Sequence, residues 1–200
     1  LDSGNNRIAK ITRQPTGLTT SGDLTTIATE TAVASAPVLF SDIALSGTTV
    51  FSLGYNTGVS STIQTWRTSD LNSDAQSYAA IAFGTAFNQL SDPEGIVVDN
   101  LAIYIADSGN NKVKKIDKNN GVFYSQSQNV QNPQGLILIN PTTLVAVENV
   151  NDQILQMNSD LNSSPTWQSD AVNNPNRAFY SSGKKYYYLT DSTPGAPKIH

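Results

Sequence analysis

Apolar and polar residues alternate along this chain in short runs, and turn-forming residues interrupt the runs every few positions. Ile96–Val98, Leu101–Ala106, Val113–Ile116 and Val122–Tyr124 follow one another in this way, separated by Gly, Asn and Asp. Short runs rich in β-branched and aromatic residues, bounded by such residues, predict strands. No segment combines helix caps with a 3.6-residue apolar period. The nearest to one is Asp74–Phe87, and Gly84 and Thr85 interrupt it.

The runs repeat. Residues 1–11 read LDSGNNRIAKI and residues 106–116 read ADSGNNKVKKI, with conservative changes only. Weaker copies stand at 147–157 (VENVNDQILQM) and 190–199 (TDSTPGAPKI), and the most divergent at 53–66 (LGYNTGVSSTIQTW). A proline landmark precedes the copies: Pro93 in DPEGIVVD, Pro133 in NPQGLILI and Pro175 in NPNRAFYS, with Pro37 expected to be its first instance. A tight turn follows them, as SGDLTT at 21–26, TSDLNS at 68–73, DKNNGV at 117–122 and NSDLNS at 158–163. There Asp and Asn are expected to close Asx turns and Gly to supply positive φ. The period is about 41 residues, with roughly nine extra residues before Pro37 and Pro93, and internal repeats of this size decide a fold before any single element does.

Four short strands recurring at this period predict an all-β fold, a β-propeller of four-stranded antiparallel blades. A parallel β-solenoid also favours Asn, Gly, Ser and Thr, but it needs no three landmarks in fixed order. The order Pro-x-Gly with an apolar run, a strand ending in Asp-Ser-Gly-Asn-Asn, then Arg/Lys-Val/Ile-x-Lys-Ile resembles the NHL repeat, most closely over Asp92–Asp117. The resemblance implies a propeller of six or a similar number of blades, with roles ranging from protein and RNA binding to extracellular scaffolds and a few lyases. On this reading residues 1–200 are one propeller domain or a fragment of one. About five blade units are expected, with blades at 37–91, 92–131 and 132–173 and partial blades at 1–36 and 174–200. Both termini carry the same part of a blade, so the chain is expected to belong to a larger ring, completed by further polypeptide or by neighbouring chains.

Composition narrows the function. Charged residues make up 14% of the chain, against about 25% in typical domains, and Ser, Thr, Asn and Gln supply much of the polarity instead. Such a surface suits an extracellular or cell-surface protein. Twelve Lys and Arg and a net charge of -4 disfavour a nucleic-acid partner. The clusters Lys112, Lys114, Lys115 and Lys184-Lys185 read as solvated strand or turn positions. No run approaches the length of a membrane-spanning helix. Cysteine is absent and the single histidine is His200, so thiolate sites, His-based metal sites and Ser-His-Asp catalysis find few residues. No metal site is expected. Asp92 and Glu94 read as turn residues rather than as the two facing acids that glycoside hydrolysis needs. Asn162-Ser163-Ser164 is a formal glycosylation sequon.

The repeated turn residues are expected to be structural: Asp2, Gly4 and Asn5, and Asp107, Gly109 and Asn110, with Asp accepting backbone N–H bonds, Gly109 permitting a left-handed conformation and Asn110 or Asn111 tolerating one. A ring of such carboxylates and amides could otherwise hold calcium through oxygen alone. The aromatic residues Tyr55, Trp66, Tyr78, Trp167, Phe179 and Tyr186–Tyr188 pack between blades or form platforms for a protein or a sugar. Turns between second and third strands share a propeller face with the connections into the next blade. Loops on that face carry function more often when long, so Tyr55, Asn56, Phe83, Phe87 and Asn88 form the expected binding face, unless the extra residues merely lengthen outer strands. The leading expectation is a non-catalytic extracellular module that binds protein or glycan, or that assembles with itself, without cofactor. The alternative is a secreted lyase or hydrolase using Asp, Tyr and bound calcium.

Overall fold

A computed structural model describes residues 7–13, 24–31, 39–69, 71, 73–128, 130–164, 167–169, 174–181, 186–191 and 198–199. Its strands in chain order are β1 (Arg7–Arg13), β2 (Leu24–Thr31), β3 (Leu39–Ser46), β4 (Thr49–Asn56), β5 (Ser60–Arg67), β6 (Ser73–Ser77), β7 (Ile81–Ala82), β8 (Pro93–Val98), β9 (Ala102–Asp107), β10 (Lys112–Asp117), β11 (Phe123–Gln126), β12 (Pro133–Asn140), β13 (Thr143–Glu148), β14 (Gln153–Asn158), β15 (Trp167–Ser169), β16 (Pro175–Ser181), β17 (Tyr186–Asp191) and β18 (Lys198–Ile199). The one helical piece among the described residues is a single 3-10 turn, Ser108–Asn110.

The strands form antiparallel sheets in sequence order: β3-β4-β5-β6, β8-β9-β10-β11 and β12-β13-β14-β15, then β16-β17-β18, with β1 and β2 paired separately. The first strands stand together, β3 against β8, β8 against β12 and β12 against β16. Successive four-stranded meanders with their first strands gathered around one axis are propeller blades. The blades are numbered here by those first strands, from blade 1 at β3 to blade 4 at β16. The segment Asp74–Phe87, which had most helical character, instead supplies β6 and β7. Both pair with β5, at Gln64↔Ser77 and at Ser61↔Ile81, which places residues 78–80 in a bulge.

The alternation in LAIYIA follows from the stacking of blades. On β9, Ala102, Tyr104 and Ala106 pack with Leu144, Ala146, Leu155 and Met157 of blade 3. The intervening Ile103 and Ile105 pack with Phe51, Leu53, Ile63 and Leu90 of blade 1. Both faces of the sheet are thus buried, so the period-two signal separates one apolar layer from another and not apolar from polar. Each fully buried large side chain here contributes about 1.5–3 kcal/mol. A third layer joins Ile137, Val145 and Val147 to Ala178 and Tyr180 of blade 4. A fourth gathers Ile8 of β1 with Phe40, Val50, Trp66 and Leu71, and Trp66 Nε1 donates to Ser52 Oγ at 2.9 Å.

Every complete blade has a bulge near the start of its first strand. Pro93 pairs with Asp107 and Gly95 with Ala106, leaving Glu94 extra, and Gln134 is extra in the same way. In blade 1 the extra residue is Ser41. Its register puts Phe40 where the other blades have proline; Pro37 lies outside the described residues.

Candidate functional site

The turns between second and third strands are clamped at both ends. Asp107 is fully buried. Its Oδ1 accepts the Ser91 N–H at 2.7 Å, and its Oδ2 accepts from Asn110 Nδ2 at 2.8 Å and pairs with Lys114 Nζ at 3.0 Å. Glu148 repeats the plan: Oε1 accepts the Gln131 N–H, and Oε2 accepts from Asn151 Nδ2 at 2.9 Å and from the Gln153 amide. The last turn residue reaches onward. Asn111, at φ 55°, accepts the Asn132 N–H at 2.8 Å, and Asp152, at φ 54°, accepts the Asn174 N–H at 2.6 Å. Each turn is therefore tied to the entrance of its own blade and to that of the next. Of the residues expected to allow a left-handed conformation, Asn111 adopts it and Gly109 does not. Gly109 is needed for close approach, since a Cβ there would lie 2.8 Å from the Ser91 carbonyl oxygen. In NSDLNS the residue with positive φ is Leu161, at 62°, while Asp160 closes the expected Asx turn to Asn162.

Blade 1 departs from this plan on the same face. Its β4–β5 hairpin stays paired to Asn56↔Ser60, whereas β9–β10 ends at Asp107↔Lys112. The bulge register aligns Gly54 with Asp107, so Tyr55 and Asn56 extend beyond the usual turn. The extra residues before Pro93 pair with this longer hairpin through β7, and Phe83 N–H continues to the Val59 carbonyl at 3.2 Å. They then close a loop in which Gly84 donates to Leu90 and Leu90 to Ala82.

This loop rests on blade 2. Lys114 is buried and not solvated as the sequence suggested, because Asp107 and two loop carbonyls compensate its charge: its Nζ donates to the Ala86 carbonyl at 3.0 Å and to the Gln89 carbonyl. Asn110 Nδ2 donates to the Gly84 carbonyl at 2.8 Å. Above these anchors Val59 is 61% exposed, Phe83 42% and Phe87 43%. Phe87 meets Phe123 edge-on with centroids 6.3 Å apart. Beside it a cavity of 460 Å³ opens between the outer strands of blades 1 and 2, lined by Tyr78, Ile81, Phe87, Asn88 and Phe123 among others.

The five residues expected on one face do not form one cluster. Asn56, Phe83, Phe87 and Asn88 belong to the hairpin and its loop. Tyr55 is turned toward the axis, where its hydroxyl meets Glu94 Oε1 at 3.5 Å. Val59 was not expected from the sequence, although an apolar residue in a hairpin turn was its signal. Asp2, Gly4, Asn5, Lys184, Lys185 and His200 lie outside the described residues. Trp66 is buried between β1 and blade 1, and Phe179 is 66% exposed.

The axis carries a second set of polar groups, which the sequence reading missed. At the glycine step after each bulge the first strands come closest. A Cβ on Gly95 would lie 2.9 Å from the Gln134 carbonyl oxygen, and one on Gly135 3.0 Å from that of Asn176. The register places Asp42 and Arg177 at the matching positions of blades 1 and 4. Arg177 Nη1 donates to the Gln134 carbonyl at 2.6 Å, and Nη2 to those of Ser41 and Glu94, both at 3.1 Å. These three are the bulge carbonyls of the other blades. Asp42 Oδ2 accepts the Ile96 N–H at 3.0 Å. Burial pushes the Asp42 and Glu94 carboxyls above the usual range, and the Arg177 charge opposes that push on both. Beyond this neck the first strands enclose a cavity of 380 Å³ that ends on Asp42, Gly135 and Arg177.

Residues 90–116 match the NHL repeat family model. The chain is a β-propeller carrying an NHL repeat at that position. No curated protein matches its sequence. Among solved structures, a chain of the nidogen/laminin complex is similar with a TM-score of 0.66 and 14% identity, over 98% of this chain and 74% of that one. A functionally unknown protein from Desulfotomaculum acetoxidans matches at 0.61 and 12%, over 98% and 62%. The computationally designed Ika4 protein matches at 0.57 and 11%, over 82% and 92%. Identities this low carry the fold alone.

Proposed function

We propose that this chain is a non-catalytic, extracellular propeller module that binds a protein through the blade 1 hairpin and the 83–90 loop. The observation that carries the reading is the exposure of Phe83 and Phe87 on a loop fixed from beneath by Lys114 and Asn110, with exposed Val59 of the hairpin turn paired to it. Aromatic side chains that are exposed yet held on a rigid base suit protein recognition, because little ordering entropy is lost on docking. One similar structure is a complex of two proteins, and the low charge of the chain fits an extracellular setting. The flanking cavity, which has no charged residue in its lining, favours an apolar side chain of a partner protein over a sugar.

Photo-cross-linking tests this. With p-benzoylphenylalanine in place of Phe87, the chain is expected to trap a discrete protein from the extracellular fraction of its source. Excess unlabelled chain should compete that product away, and an excess carrying Phe83→Ser and Phe87→Ser should not. Equal cross-linking from Leu101, on the opposite face, would overturn the assignment. Retention on immobilised glycans that depends on Phe87 would move the ligand class to sugar.

A further inference from the structure

We propose that Arg177 is a tethered cation filling an oxygen-lined site on the propeller axis, and that it keeps hard divalent ions such as Ca²⁺ out of that site. Three backbone carbonyls from three blades, Ser41, Glu94 and Gln134, converge on one guanidinium. They come from residues 136, 83 and 43 positions away in sequence, so no local motif creates the arrangement. Bulge residues turn their carbonyls out of the ladder, and an unpaired buried carbonyl needs a donor or a cation. The carboxylates of Asp42 and Glu94 stand close enough for the Arg177 charge to act on both.

Without the guanidinium, the groups it contacts or acts on among the described residues would be backbone carbonyls and the carboxylates of Asp42 and Glu94. Oxygen donors of mixed carbonyl and carboxylate type are the set that Ca²⁺ takes, and Ca²⁺ accepts irregular geometry. The two tight glycines, Gly95 and Gly135, project no side chain of their own at this level. Sequence supports the substitution: the repeat reads DPEG and NPQG in blades 2 and 3 but NPNR in blade 4. The inference stands apart from the proposed binding face. It bears on the calcium-dependent alternative, because an axial calcium would have to displace a side chain bonded to three blades.

The test compares the wild-type chain with Arg177→Ala and with Arg177→Ala/Asp42→Asn. Terbium serves as the probe for hard cations, with tyrosine-sensitised luminescence as the readout, and calorimetry with CaCl₂ follows the native ion. Arg177→Ala is expected to gain one calcium-competable terbium site, and the double variant to bind it at least tenfold more weakly. The wild-type chain should give no such signal. A folded Arg177→Ala chain that binds neither ion, or a wild-type chain that binds as tightly as the variant, would overturn the proposal. Should Arg177→Ala fail to fold, its recovery by millimolar Ca²⁺ but not by Mg²⁺ supports the site, and lack of recovery refutes it. Magnesium is the control because it demands near-octahedral geometry and gives up water reluctantly.

Discussion

Lys114 Nζ lies 3.0 Å from Asp107 Oδ2, and the two side chains are 1% and 0% exposed. The pair joins the best-formed repeat turn of blade 2 to the loop of blade 1, because the same ammonium also binds Ala86 and Gln89. Removing one member of a buried pair leaves an uncompensated charge, which costs about 3–5 kcal/mol. Lys114→Met is expected to lower the unfolding free energy by about that amount. Lys114→Met/Asp107→Leu should cost less than the sum of the two single changes. Urea denaturation of the four chains gives the cycle. Additive losses would mean that the pair is not coupled.

Gly95 and Gly135 stand where backbones of adjacent first strands nearly touch. Gly95→Ala and Gly135→Ala are each expected to destabilise by about 1–3 kcal/mol through overpacking. Gly47 and Gly58 have open space around them but positive φ, 60° and 72°. Alanine there should cost about 1–2 kcal/mol through backbone strain, and should leave the axial contacts intact. Amide exchange at Ile96 separates the cases, since its N–H is bonded to Asp42. Faster exchange is expected for Gly95→Ala beyond any global loss, and not for Gly58→Ala.

The blades were legible because their signals are local. The Asp-Ser-Gly-Asn-Asn turn and the Pro-x-Gly step each fall within a few residues, and each recurs in order. The bulge was not legible, because an extra residue leaves no compositional mark. In blade 1 the register sets Phe40 at the position that proline holds in the other blades. Asn56, Phe83, Phe87 and Asn88 came from loop length, which the repeat spacing reveals. Tyr55 turned inward because the hairpin extends by residues whose side chains alternate direction. Arg177 was written in the repeat, as an arginine at a glycine position. Its meaning depended on carbonyls from three distant segments, which only the closed arrangement brings together.

The acid side of the stability profile follows from the neck. Asp42 and Glu94 both have carboxyls raised above their ordinary values of 3.8 and 4.5, chiefly by burial. A raised folded-state value means that the folded chain binds protons more readily than the unfolded one. Stability should therefore increase as pH falls from neutral through the folded-state values, and this gain is complete at the unfolded ones. The contribution is smallest at neutral pH, where both groups are charged. Melting temperatures taken across the mildly acidic range are expected to rise as pH falls, and the rise should shrink in Asp42→Asn and Glu94→Gln. A profile that falls from neutral pH downward in wild type, and is unchanged in the variants, would count against the buried carboxyls.

The binding face rests most directly on one comparison, made by calorimetry against the protein captured through position 87. Phe83→Ser/Phe87→Ser is expected to weaken binding by at least about 2 kcal/mol, the scale of an aromatic hot spot. Its melting temperature should stay close to wild type, because both side chains are exposed. Leu101→Ser, on the opposite face and also exposed, should bind as wild type does. Undiminished binding by the phenylalanine pair, or loss in Leu101→Ser instead, would contradict the assignment.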